Sequence, residues 1–144
     1  MVVGNESTRN AISHGVLALS RFPKERQKWW SDFDALTPTA VEEIVRWESP
    51  VIYMRRTLTS DFELSGVQMK AGDKVALYYN SANRDESRFD NPWAFDVACT
   101  PNPHLGFGDG AHFCLGANLA RREIRVVFRR VVPGGGGPGP HRDG

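Results

Sequence analysis

The hydrophobic period of this chain changes twice along its length, and that change limits the folds open to it more than any other feature. Over residues 6–20, Ile12, Val16 and Leu19 recur at helical spacing with polar residues between them, which predicts a helix. A second helix is expected to start at Pro23, since proline suits a first helical turn. Pro38 signals a third start, with Thr37 as N-cap and Val41, Ile44 and Val45 as the apolar stripe, and Pro50 ends it. The period then shortens. Residues 51–57, 62–64, 67–69 and 75–79 read as short strands, with Ser65-Gly66 and Ala71-Gly72-Asp73 as turns. Residues 80–103 are rich in Asn, Asp and Pro and read as loop, with a short helix near Asp85. Helical spacing returns over residues 117–131, where Ala120, Ile124, Val127, Phe128 and Val131 share one face. Arg121, Arg122, Arg125, Arg129 and Arg130 are left for solvent or partners. The expected class is mainly α with a small antiparallel β-sheet, in one domain over residues 1–132. Residues 133–144, dominated by Gly and Pro, offer nothing to bury and are expected to be disordered.

Composition narrows the function. A formal net charge of +1 leaves no electrostatic footprint for nucleic acid. The apolar runs are too short and too interrupted to span a bilayer, and residues 1–6 lack the charged and apolar regions of a signal peptide. Two cysteines, Cys99 and Cys114, do not make a disulfide framework, so a cytoplasmic location is the expectation.

The run Phe107-Gly108-Asp109-Gly110-Ala111-His112-Phe113-Cys114-Leu115-Gly116 is a glycine-rich loop that delivers one thiol to the start of an amphipathic helix. The positive end of that helix favours an anionic sulfur. Gly110 and Gly116 let the backbone approach a bulky flat ligand, with N–H groups free to point at the sulfur. Most free cysteines are small buried hydrophobes, and Cys114 taken alone would be read that way.

The whole run resembles the haem-binding signature of the cytochromes P450: Phe107, Gly110, His112, Cys114 and Gly116 fill its defining positions. The resemblance implies haem b with iron ligated by Cys114, Phe107 packed beside the sulfur, and His112 on a haem propionate. Thiolate ligation pushes electron density toward bound oxygen and favours O–O cleavage. Two more motifs stand in the family's order. Glu43-Ile44-Val45-Arg46 is similar to its Glu-x-x-Arg, part of a buried ionic cluster that supports the haem-binding core; the spacing alone would favour a solvated surface pair. Val3-Gly4-Asn5-Glu6-Ser7-Thr8 is similar to its oxygen-binding groove, where Gly4 makes room over the iron and Glu6 and Ser7 relay protons. An ordinary N-cap box suits the same residues. Arg56 falls where the family pairs an arginine with a propionate, with Arg55 as competitor. Val51, Ile52, Tyr53 and Met54 would line the substrate cavity.

The resemblance implies a P450 fold, its C-terminal part only, running from about Val3 to Val131. It implies hydroxylation of an unactivated C–H bond with O2 and electrons from NAD(P)H through a ferredoxin and ferredoxin reductase or a similar donor. The match is closest to actinobacterial enzymes acting on methyl-branched lipids and sterol side chains, so a small hydrophobic lipid is the implied substrate. The chain departs from the pattern in three ways. Segments the family places before the central helix are missing, and so are its final sheet and last cavity loop, as in a fragment or an aberrant reading frame. Cys99 stands where the family has an arginine, so Glu43 is expected to be an incompletely compensated charge. Two other readings compete: a zinc module built from Cys99, His104, His112 and Cys114, whose spacings match no common finger, and a non-catalytic remnant.

Overall fold

A computed structural model describes residues 4–131. Three helices lead the chain: α1 (Asn5–Arg21), α2 (Pro23–Ser31) and α3 (Phe33–Glu48). Four short strands follow, β1 (Tyr53–Thr57), β2 (Phe62–Leu64), β3 (Val67–Met69) and β4 (Lys74–Tyr78), then the single turn α4 (Tyr79–Ala82) and, after a long loop, α5 (Ala117–Val131). β1 pairs antiparallel with β4, Tyr53 opposite Tyr78, and β2 with β3, Phe62 opposite Met69. The architecture is helix-rich with small antiparallel sheets, as the two periods predict. The tail at 133–144 and Val3 lie outside the described residues.

The core lies where α1, α3 and α5 meet. Ala11, Ala18 and Leu19 of α1, Ala40, Val41, Ile44 and Val45 of α3, and Ile124 and Phe128 of α5 are all buried there, together with Trp29, Phe95 and Val97. Gly15 permits the close approach of α1 to this core: a Cβ there would stand 2.9 Å from Phe128 Cζ and 3.1 Å from Ile44 Cδ1. Trp29 of α2 stacks on Phe33, with centroids 5.4 Å apart, and tilts against Phe128 at 5.1 Å.

Three local expectations need correction. α3 begins at Phe33, and Pro38 lies inside it. Thr37 is no N-cap; its buried hydroxyl donates to the Phe33 carbonyl within the helix and accepts the Trp29 indole N–H at 3.1 Å. Packing of Phe33 on Trp29 holds residues 33–37 helical ahead of a proline that would otherwise mark the start. The short helix expected near Asp85 is instead α4, directly after β4, while Asp85 organises a turn by accepting the Ser87 N–H at 2.8 Å. Finally, β1 begins at Tyr53, so Val51 and Ile52 precede the sheet.

Candidate functional site

The loop before α5 is held from three directions. Asn83, wholly buried at the end of α4, donates to Ser49 Oγ at 2.8 Å and accepts the Leu105 N–H at 2.6 Å, joining the end of α3 to the approach to the loop. Gly106 lies against α3 so tightly that a Cβ would fall 2.5 Å from Val45 Cγ1 and 3.2 Å from the Val45 carbonyl. The loop then turns through Gly108 (φ 75°) and Gly110 (φ 66°), left-handed conformations that favour glycine, into one 3₁₀ turn over Gly110–His112. Cys114 closes it: its N–H donates to the Phe107 carbonyl at 2.9 Å, and its own carbonyl accepts the Ala117 N–H at 3.2 Å at the start of α5. The Cys114 side chain is exposed, and its sulfur makes no hydrogen bond among the described residues.

Arg56 and His112, far apart in sequence, line one open cleft of about 560 Å³ between β4 and the loop, with Tyr78, Tyr79, Gly108 and Asp109. Arg56 makes no ion pair among the described residues, and its one recorded hydrogen bond is to the Arg55 carbonyl at 3.2 Å. Cys114, Phe107, Gly4, Glu6 and Ser7 do not line this cleft. Ile52, Tyr53 and Met54 are exposed at the start of the sheet, Tyr53 stacking against Tyr78 of the cleft with centroids 5.5 Å apart. At the head of α1, Gly4 has positive φ and open space where a Cβ would stand. Ser7 and Thr8 both donate their hydroxyls to the Gly4 carbonyl, at 3.2 and 3.0 Å, and Glu6 pairs with Arg9. No side chain caps α1, so the N-cap box does not form.

Glu43 and Arg46 are not a surface pair. They are 0 % and 2 % exposed and joined by two hydrogen bonds of 2.7 Å, and Arg46 also donates to the carbonyls of Asn83, Pro92 and Ala94. The expectation that Cys99 leaves Glu43 short of partners is overturned in part. The second cation is absent, but the Asp96 N–H at 2.9 Å and the Asn102 amide at 3.1 Å fill the carboxylate. Burial, then the nearby Glu43 charge, pushes the Cys99 thiol up. Arg121 is not free for solvent either. It grips Glu42 through Nε at 2.6 Å and Nη2 at 2.9 Å, while Arg125 and Arg129 face Asp34. Glu42 and the role of Arg121 were missed because their pairing spans α3 and α5 and has no local signature.

The family model described as Cytochrome P450 matches residues 30–133. The chain belongs to this family. Among P450 relatives, it is 73% identical over 137 residues to the methyl-branched lipid omega-hydroxylase of Mycobacterium tuberculosis, covering 92% of this chain and 32% of that one. It is 48% identical over 133 residues to the steroid C26-monooxygenase of the same organism, with 91% and 30% coverage. A solved Mycobacterium marinum P450 in complex with pseudoionone superposes with a TM-score of 0.90 at 48% identity, over 92% of this chain and 32% of that one. The chain thus spans about a third of the length of the relatives it matches.

The residues present fit the haem that P450 membership implies. A sulfur without a hydrogen-bond partner among the described residues is presented on the loop at the head of α5, and an arginine and a histidine share the adjoining cleft, which would suit a cofactor that takes a soft sulfur ligand and carries two carboxylates. They do not fit zinc. His104 Nδ1 accepts the Gly106 N–H at 3.1 Å and Nε2 meets Glu42 at 2.9 Å, so neither ring nitrogen is available. Among the described residues no three His, Cys, Asp or Glu side chains are grouped to hold a metal ion.

Proposed function

We propose that this chain supplies the proximal haem-binding part of a haem-thiolate monooxygenase that hydroxylates an unactivated C–H bond of a methyl-branched lipid or sterol side chain. The observation that carries the reading is the cleft that unites Arg56 with His112 beside the loop bearing Cys114. Bound haem would supply oxygen activation at an iron made electron-rich by thiolate. The chain's own groups do the rest. Cys114 presents the ligand sulfur, and its N–H bond to Phe107 holds the loop closed behind it. Arg56 and His112, which share the cleft, would hold the carboxylates of the haem. Phe107, Gly110 and Gly116 give the ring and sulfur their room. Glu6 and Ser7, at the open end of α1 beside Gly4, move protons toward the reacting centre. Val51, Ile52, Tyr53 and Met54 offer apolar surface to the substrate. O2 is the co-substrate, and a ferredoxin with its reductase, or a comparable donor, delivers electrons. Among the described residues no helix is long and apolar enough to cross a membrane; the cytoplasm is the location proposed. The names of the similar proteins, a lipid omega-hydroxylase and a steroid monooxygenase, support the substrate class.

Titration of the chain with haemin, followed by reduction under carbon monoxide, tests this. The expected product shows the red-shifted Soret band of thiolate ligation, and Cys114→Ser loses it. Retention of that band by Cys114→Ser would remove the ligand assignment.

A further inference from the structure

Behind the loop lies a cluster of polar side chains that the haem contacts leave unused. Glu42 on α3, His104 before the loop and Arg121 on α5 come from three separate segments. Arg121 holds both oxygens of Glu42 in a fork, at 2.6 and 2.9 Å, and His104 Nε2 shares the second oxygen at 2.9 Å. The direction of the histidine is settled: Nδ1 accepts the Gly106 N–H at 3.1 Å, which leaves the ring proton on Nε2, donated to Glu42. The His104 side chain is 4% exposed, against 26% for Glu42 and 33% for Arg121, so the cluster is buried at its histidine end and half-open at its arginine end. Burial pushes the Glu42 carboxyl up, but the hydrogen bonds from His104 and Arg121 outweigh it and hold it at about 2, so the carboxylate stays charged.

This cluster aims the guanidinium. Arg121 lies over the Phe107 ring, 4.5 Å from its centroid, with the His104 ring 5.8 Å from the same residue. The Phe107 carbonyl is the acceptor for the Cys114 N–H. Arg121 stands on α5, whose first residue, Ala117, donates its N–H to the Cys114 carbonyl at 3.2 Å, so guanidinium and cysteine loop are joined through Phe107 and the head of the helix. We propose that Glu42 and His104 are positioning residues that hold the Arg121 guanidinium on the Phe107 ring, behind the loop that carries Cys114, and that the balance of the Arg121 and Glu42 charges sets the reduction potential of the haem. The proposal rests on the haem-thiolate reading above. Reduction adds an electron to the iron–sulfur unit, so a nearby cation favours the reduced form and a nearby anion opposes it.

The experiment is spectroelectrochemistry of the haem-loaded chain, read through its Soret band. Arg121→Gln is expected to lower the midpoint potential, shifting the oxidised-to-reduced ratio roughly tenfold at fixed potential, ~59 mV for one electron. Glu42→Gln, which keeps the shape and removes the negative charge, is expected to raise it. Arg121→Lys, retaining the charge, is expected to restore most of the parent value. A purely structural brace cannot produce opposite signs. Shifts in the same direction, no shift, or loss of the thiolate spectrum in both glutamine variants overturns the proposal and leaves the haem-thiolate reading standing. Absence of a thiolate spectrum in the parent chain overturns that reading and this proposal with it.

Discussion

At Glu43 a carboxylate without solvent exposure is made tolerable by counting its lone pairs. Two guanidinium N–H groups, a backbone N–H and an amide N–H occupy them. Removing charges from water costs several kcal/mol per ion, so such a pair survives only where the remaining hydrogen bonds are made. Arg46 serves both ends of this requirement, since its other N–H groups reach three carbonyls of the loop that follows α4. Arg46→Met therefore strands a buried charge and three acceptors. The expected loss is ~3–5 kcal/mol of unfolding free energy, measured by urea denaturation. A loss within the range of an exposed ion pair, below ~1 kcal/mol, would show that the pair is not buried in solution.

Among the elements, α3 is the one to which the loop answers. It meets α1 and α5 on its apolar side, while Glu42, Glu43, Arg46 and the Val45 backbone address the long loop between α4 and α5. Glu42 links α3 to α5 and His104 at once, and its charge gives the linkage a pH signature. Its folded carboxyl lies at about 2 against an ordinary 4.5. A depressed value means the stabilisation is complete above about 4.5 and is lost as pH falls toward 2. Glu42→Gln is accordingly expected to flatten the acid limb of the stability curve across that window, as followed by thermal unfolding at successive pH values. An unchanged slope there would mean that Glu42 is not paired in the folded state.

For the whole molecule, the side chains of the proposed site are unevenly covered. Phe113 and Leu115 on the loop, Leu119 on α5, and Ile52 and Tyr53 at the sheet are exposed. Apolar surface of this kind is characteristically covered by a ligand or a partner. A ligand that binds only the folded chain raises its stability by mass action, ~2.7 kcal/mol at a hundredfold excess over Kd. The melting temperature is expected to climb with haemin concentration, and to climb much less in Cys114→Ser. Equal responses in the two chains would place the haem elsewhere.

Sequence alone determined the parts that depend on neighbours along the chain. Helical and strand periods located α1, α5 and the β2–β3 hairpin, because an element's own spacing decides which face it can bury, and Pro23 marked the start of α2. The glycine-rich loop and its thiol were legible for a similar reason: left-handed turns at Gly108 and Gly110 are recorded in residue type. Where tertiary contacts outweighed local preference, the local reading failed. Packing of Phe33 on Trp29 starts α3 five residues ahead of Pro38, and at Glu43 and Arg46 burial decides for the internal pair that the family motif implies over the surface pair that the spacing alone also suits. Only the folded chain could join Arg56 to His112 in one cleft, complete the Glu43 carboxylate with the Asn102 amide and the Asp96 N–H, or aim Arg121 by way of Glu42. Those contacts link residues tens of positions apart, and electrostatics acts through distance in space, which no spacing in a linear sequence records.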